Sequence, residues 1–307
     1  MVKYSIVIPV YNEQEILEMC YREVKKLAEK FDGSYEIIFV NDGSKDDSLN
    51  ILKGFAGADK TVKVISFSRN FGHQAAISAG MEHSCGEAVI IMDADLQDPP
   101  EVVLRMIEKW KEGCDIVYGK RVKRKGERPF KKLTAFLYYR LLARITGLNI
   151  PKDTGDFRLL SRKAADAIVS LPERNRYLRG LNAWVGFKQA EVCYERNPRA
   201  AGETKYTLKK MFKLAGDGII SNTNFPLTAL FGFGLTFSFI AVLGFIALVA
   251  LAIAKINFSP IYWLFPLIIL CLGLVLTGMG LLGIYLGRVY DEVKGRPLYI
   301  VDEKINF

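Results

Sequence analysis

Apolar and polar positions along the first 118 residues follow two alternating periods. Tyr4 to Val10 is a short apolar run and reads as a strand. Glu13 to Lys30 follows, with Ile16, Leu17, Val24 and Leu27 on one helical face. Tyr35 to Val40 predicts a second strand, then a short helix to about Phe55, and Val62 to Phe67 a third strand. His73 to His83 reads as helix, Ala88 to Met92 as strand, Glu101 to Glu112 as helix and Asp115 to Tyr118 as strand. Strands alternating with helices imply a mainly parallel sheet covered on both faces. The fold class expected is therefore α/β.

Beyond residue 119 the pattern loosens. Lys120 to Lys132 is a basic loop, and Phe130 to Ile145 is amphipathic, suited equally to a membrane interface or to an ordinary domain helix. Lys205 to Ile220 is the stronger interfacial candidate. Two uncharged runs follow, Pro226 to Ala254 and Pro260 to Gly287. At about 1.5 Å per residue each exceeds the roughly 30 Å hydrocarbon core, so a two-helix transmembrane hairpin is expected. Tyr4 to Val10 is too short and proline-broken for a signal peptide. Arg288, Lys294 and Arg296 follow the second run against one lysine between the runs, which predicts both termini in the cytoplasm. The expectation is an integral protein of a bacterial or archaeal inner (plasma) membrane. Gly283 and Gly287 offer a helix-packing motif, from which homo-oligomeric association is an expectation.

Charge sharpens this picture. The net +9 is uneven: residues 1–118 carry 13 basic and 20 acidic side chains, and residues 119–214 carry 24 and 8. A basic block ahead of apolar runs points to anionic head groups or an anionic lipid substrate. No nucleic-acid module is recognisable, so nucleic acid is disfavoured. The five cysteines lack paired spacing and read as small core residues of a reducing compartment. No glycine-rich dinucleotide fingerprint or Walker A motif occurs, which disfavours hydride-transfer and ATP-driven chemistry.

Candidate chemistry gathers at predicted strand ends. The run Ala88 to Met92 ends in Asp93-Ala94-Asp95-Leu96-Gln97-Asp98-Pro99-Pro100. Two carboxylates one residue apart can share a hard divalent cation and the phosphate oxygens it carries. Asp98 before two prolines reads as a cap for the following helix. Other clusters are Pro9 to Glu13, Asn41 to Ser44, Thr154 to Arg158 and Arg199 to Tyr206. His73 and His83 are ten residues apart, which is wrong for a zinc pair.

These clusters resemble family 2 glycosyltransferases of the GT-A fold, and more narrowly the polyisoprenyl-phosphate glycosyltransferases. The most specific stretches are Ile8 to Glu13, Val40 to Ser44, Asp93 to Pro100 and Gly155 to Leu160, and Tyr285 to Lys294 is similar to the bacterial members. The resemblance implies a GT-A catalytic domain over 1–200, with a nucleotide-sugar half (1–118) and an acceptor half (119–200). A juxtamembrane helix (201–225), the hairpin (226–287) and a cytoplasmic tail (288–307) would follow. It further implies nucleotide-sugar contacts from Pro9, Tyr11, Glu13, Asp42, Asp93, Ala94 and Gln97, with Mg²⁺ or Mn²⁺ on Asp93 and Asp95. Turn formation by Asp42 and helix capping by Glu13 are the ordinary alternatives. Asp95 and Asp156 would be catalytic, Asp156 as a base or as a positioning group, since a phosphate monoester is mostly deprotonated at neutral pH. Arg121, Arg128, Arg140, Arg199 and Lys205 are candidates for the acceptor phosphate. The Q-x-x-R-W of processive synthases is missing from Arg176 to Trp184, which favours transfer of one sugar. The activity implied is inverting transfer of a single hexose, UDP-glucose first among donors, to undecaprenyl phosphate at the cytoplasmic membrane face. N-acetylglucosamine, mannose or a modified arabinose is the alternative sugar. The rival from another class is a catalytically silent membrane protein that binds nucleotide.

Overall fold

The computed structural model describes residues 2–121, 154–196 and 261–307, together with Thr236, Leu243, Ile246 and Ile253. The chain divides into two units, Met1–Ala215 with Pro297–Phe307, and Gly216–Arg296. In the first unit the described elements run β1 (Tyr4–Val10), α1 (Leu17–Ala28), β2 (Tyr35–Asn41), α2 (Ser48–Ala58), β3 (Val62–Phe67), α3 (His73–Glu82), β4 (Ala88–Ile91), α4 (Val102–Lys111) and β5 (Ile116–Arg121). Then come β6 (Thr154–Ser161), α5 (Arg162–Ser170), α6 (Leu178–Trp184), β7 (Gln189–Tyr194) and, near the C-terminus, β8 (Val301–Ile305). The second unit contributes α7 (Ile261–Lys294).

The strands form one sheet in the order β7-β5-β6-β4-β1-β2-β3-β8. Pairs β4–β1, β1–β2, β2–β3 and β5–β7 are parallel; β4–β6, β5–β6 and β3–β8 are antiparallel. The central strands are apolar throughout because both faces are covered. Ile6, Ile8, Ile37 and Phe39 pack with Leu17, Val24, Leu52, Met106 and Ile107 on one side. The alternate residues Val7, Ile38, Val40 and Ile65 pack with Ala76, Ile77, Ala164 and Ile168 on the other. Helix α3 lies very close to the sheet, since a Cβ at Gly80 would fall 2.1 Å from Val7 Cγ1.

This is the expected α/β architecture with a mainly parallel sheet. Chain order reverses at β1, flanked by β4 and β2, so the carboxyl ends of these strands open a crevice at the switch point. The antiparallel strand β6 begins beside the end of β4. Ile91 pairs with Arg158, and continuing that register by two residues sets Asp93 opposite Asp156.

Several expectations are corrected. The integral-membrane localisation does not survive and the transmembrane hairpin is not confirmed, because among the described residues no helix is long and apolar enough to cross a membrane. The first uncharged run lies outside the described residues apart from Thr236, Leu243, Ile246 and Ile253. The second, from Ile261 on, falls within α7, a 34-residue helix that continues past Gly287 through Arg288, Asp291, Glu292 and Lys294. Freedom from charge delimits a stretch of sequence, and the helix does not end where that stretch ends. The inferred placement of the termini falls with that localisation. The two amphipathic segments, Phe130 to Ile145 and Lys205 to Ile220, lie outside the described residues. Cys20 and Cys114 are buried, but Cys85 and Cys193 are exposed, so the cysteines are not uniformly core residues.

Candidate active site

The turns that leave the carboxyl ends of the central strands meet the first residues of β6. At the end of β1, Pro9 is buried, Tyr11 is 37 % exposed and Asn12 adopts a positive φ of 53°. This turn is tied to the next one: the Asn12 N–H donates to Ser44 Oγ at 3.0 Å, and the Glu13 N–H to Ser48 Oγ at 3.1 Å. Pro9, Tyr11, Glu13 and Asp42 therefore lie on adjoining turns at the carboxyl ends of β1 and β2. Asp42 is 3 % exposed, and its carboxylate accepts from the Phe71 N–H (2.7 Å), the Gly72 N–H (3.0 Å to Oδ2) and Asn70 Nδ2 (2.8 Å). Burial pushes its pKa up while the Phe71 and Gly72 amides pull it back. Its carboxylate thus organises the loop after β3, a role different from forming the Asp42-Gly43-Ser44 turn itself.

The loop after β4 carries Asp93 and Asp95, with Ala94 buried between them. Asp95 Oδ1 accepts from the Gln97 N–H at 3.1 Å, a local turn that puts Leu96 at φ 52°. Asp98 is no helix cap. The capping position of α4 is Glu101, with no side-chain hydrogen bond to the helix. Asp98 is instead buried, accepting from Tyr194 Oη (2.5 Å), Arg196 Nε (3.2 Å) and Arg121 Nη2 (3.3 Å). A buried carboxylate needs cationic partners more than an exposed N-terminus needs a cap. Arg121 is therefore engaged by Asp98 and lies against the strand end of β6, where a Cβ on Gly155 would come within 2.5 Å of Arg121 Nη2.

Asp156, near the start of β6, is buried at 9 % exposure. Arg179 of α6 donates to it in bidentate fashion, Nε to Oδ1 at 3.1 Å and Nη2 to Oδ2 at 3.4 Å. Arg158 Nη2 lies 3.5 Å from Oδ1 and also donates to the Gly155 carbonyl at 2.8 Å. His73 Nε2 stands 3.5 Å from Asp156 Oδ2 and 3.6 Å from Asp93 Oδ1. Burial raises the Asp156 pKa, but Arg179, His73 and Arg158 together hold it well below the usual carboxylate range. Burial lowers that of His73, yet Asp156 and Asp93 bring it to about 9. Asp93 is shifted the other way: burial raises its pKa, as do the charges of Asp156, Asp95 and Asp98, with only His73 opposing. One end of the cluster is thus a carboxylate ringed by cations, and the other gathers further carboxylates whose charges raise the Asp93 pKa.

Among the described residues, no group of three or more His, Cys, Asp or Glu side chains is arranged to hold a metal alone. A hard divalent ion at Asp93 and Asp95 would complete its oxygen shell from substrate phosphates and water, the usual habit of Mg²⁺. The donor set fits such an ion.

The structure thus brings Pro9, Tyr11, Glu13, Asp42, Asp93, Ala94, Asp95, Gln97, Arg121 and Asp156 to one edge of the sheet. Arg128, Arg140, Arg199 and Lys205 lie outside the described residues. His73, weighed only as a zinc ligand, and Arg158, inside the Thr154 to Arg158 cluster, had no assigned role in the sequence, nor did Gln74, Arg179 and Arg196. A signal for His73 existed: the β3–α3 turn was the one strand–helix turn at this edge, up to β4, without an assigned cluster.

Comparisons with known proteins establish the family. The profile for glycosyl transferase family 2 matches residues 5–169. An uncharacterized glycosyltransferase of Bacillus subtilis, YkcC, is 50 % identical over 306 residues, covering 98 % of this chain and 94 % of its own. A bactoprenol glucosyl transferase of Shigella phage SfX is 40 % identical over 306 residues, covering 98 % and 99 %. Glucosyl-3-phosphoglycerate synthase of Mycobacterium tuberculosis, solved with Mn²⁺, UDP-glucose and phosphoglyceric acid, superposes with a TM-score of 0.49 at 20 % identity, covering 71 % and 78 %. With a family match across more than half of its length and such relatives over nearly all of it, the chain belongs to glycosyl transferase family 2 and is a glycosyltransferase.

Proposed function

We propose that this enzyme transfers a single glucose, with inversion, from UDP-glucose to a polyprenyl phosphate, undecaprenyl phosphate being the acceptor expected. The observation that carries the reading is the meeting of a carboxylate pair, Asp93 and Asp95, with an arginine-ringed carboxylate, Asp156, at adjacent strand ends. The full-length relatives named bactoprenol glucosyl transferase support the acceptor and the sugar.

In the reaction, a phosphate oxygen of the lipid attacks the anomeric carbon. The bond from that carbon to the diphosphate oxygen breaks, and the leaving UDP takes the electron pair. Mg²⁺ or Mn²⁺ held by Asp93 and Asp95, when bound, offsets charge on the diphosphate. Asp42, Pro9, Tyr11 and Glu13 frame the nucleoside, with Ala94 and Gln97 alongside the diphosphate.

The acceptor's second pKa is about 6, so its oxygen needs little help from a base at neutral pH. Asp156, held well below the usual range, is a poor base and a good anchor. It orients Arg179 and Arg158, whose guanidinium groups suit a phosphate geometrically. Arg121 serves the same acceptor from the end of β5, together with Arg128, Arg140, Arg199 and Lys205.

The test is transfer of radiolabelled sugar from a panel of UDP- and GDP-sugars into undecaprenyl phosphate, with Mg²⁺, with Mn²⁺ and with EDTA. Label from UDP-glucose alone, lost with EDTA and in Asp95→Asn, is the expected result. Label from another donor would replace the sugar, persistence in EDTA would remove the metal, and no label from any donor would overturn the reading.

A further inference from the structure

Residues Arg69 to Gln74 have no role in the chemistry so far, yet they touch each part of the site. Two devices press this loop onto the turn after β2. Asp42 takes the amides of Phe71 and Gly72 and the side chain of Asn70. Gly43, at φ 63°, leaves no room for a Cβ, which would lie 2.4 Å from the Arg69 carbonyl carbon and 2.6 Å from the Asn70 nitrogen. Gly72 then turns the chain into α3 at φ 104°, a conformation that favours glycine.

The first two residues of α3 face the acids. His73 reaches Asp93 Oδ1 at 3.6 Å and Asp156 Oδ2 at 3.5 Å through the same nitrogen. Gln74 Nε2 lies 3.5 Å from Asp156 Oδ2, while its Oε1 accepts from the Leu178 N–H at 3.1 Å and so ties in α6, which carries Arg179.

We propose that His73 is a positioning residue, which fixes Asp156 relative to Asp93 and so makes Asn70–Gln74 the link between the nucleotide wall and the acceptor side of the site. This rests on the reading of Asp93 as a donor-side group and Asp156 as an acceptor-side group. In the held arrangement the arginines on Asp156 stand in register with the diphosphate before the acceptor arrives. Its loss misaligns the reactants without removing a donor contact.

Two measurements test this on the full chain. In the transfer assay, His73→Ala lowers kcat by about a hundredfold, the scale of a one-ångström misplacement, with the donor KM nearly unchanged. His73→Gln, which keeps an N–H in roughly the same place, recovers part of the loss. An unchanged kcat, or a loss confined to the donor KM, would overturn the proposal. The second measurement needs no activity. The chain has only two histidines, so a long-range ¹⁵N–¹H imidazole spectrum holds two sets of signals. Asp156→Asn and Asp93→Asn should each shift those of His73 and leave His83 in place. If neither moves them, the contact is absent and the proposal fails whatever the assay shows. If the wild type transfers no sugar, the proposed function fails while the spectrum still decides the role of His73.

Discussion

At the scale of single residues, the buried carboxylates are held by specific partners. Asp98, 2 % exposed, is shared by Arg121, Arg196 and Tyr194. Asp98→Asn leaves two guanidinium groups without their counter-charge, and removing one member of a buried pair costs about 3 kcal/mol. Urea unfolding should show a loss of that size, whereas exposed Glu18→Gln, paired only with Arg22 on the surface of α1, should change little. The aspartates were visible in the sequence by type and spacing. Their partners were not, because Arg121, Tyr194 and Arg196 are brought to Asp98 by strand pairing across 23 to 98 residues of chain.

Between elements, packing and tethers set the register. Gly80 lets α3 rest on β1, where an added Cβ would meet Val7 Cγ1 at 2.1 Å. Gly80→Ala should destabilise by about 2 kcal/mol through overpacking. Val7→Ala in the same chain should restore part of that, giving a favourable coupling of about 1 kcal/mol in a double-mutant cycle. Helices α1 and α2 are joined by Lys25 and Asp59, whose Nζ and Oδ2 lie 2.6 Å apart. Burial raises the Asp59 pKa, but Lys25, Thr61 and Tyr21 outweigh it and bring it down to about 2. A depressed carboxylate pKa stabilises the fold above its ordinary value and loses that contribution as pH falls through the folded value. The wild type should exceed Asp59→Asn by about 2 kcal/mol at pH 6 and converge with it near pH 2, as read by unfolding at each pH.

For the whole molecule, the C-terminus closes one edge of the sheet. Strand β8 runs antiparallel to β3, and Tyr299 stacks on Phe67 with ring centroids 4.9 Å apart. Asn306, at φ 64°, donates to the carbonyls of Ala56 and Val62, both at 2.8 Å. Asn306→Ala loses both bonds and strains a left-handed position, so it should cost about 2 kcal/mol in thermal or urea unfolding. The apolar pattern predicts no strand at Val301 to Ile305, since Val-Asp-Glu-Lys-Ile has the composition of an exposed tail. An edge strand facing solvent carries such charges without conflict.

The sequence alone determined the alternation of β1 to β5 with α1 to α4, because apolar period and turn residues are local properties of the chain. It also placed carboxylates at strand ends, where an α/β sheet presents its ligand site. It overreached at the two uncharged runs, because absence of charge alone does not establish a span, and among the described residues no helix is long and apolar enough to cross a membrane. Tertiary structure alone decided which strand ends meet. Antiparallel insertion of β6 beside β4 sets Asp156 opposite Asp93, and the β3–α3 turn delivers His73 between them. Those contacts join residues far apart in sequence, and only the folded sheet, with its fixed register, brings their charges within a few ångströms.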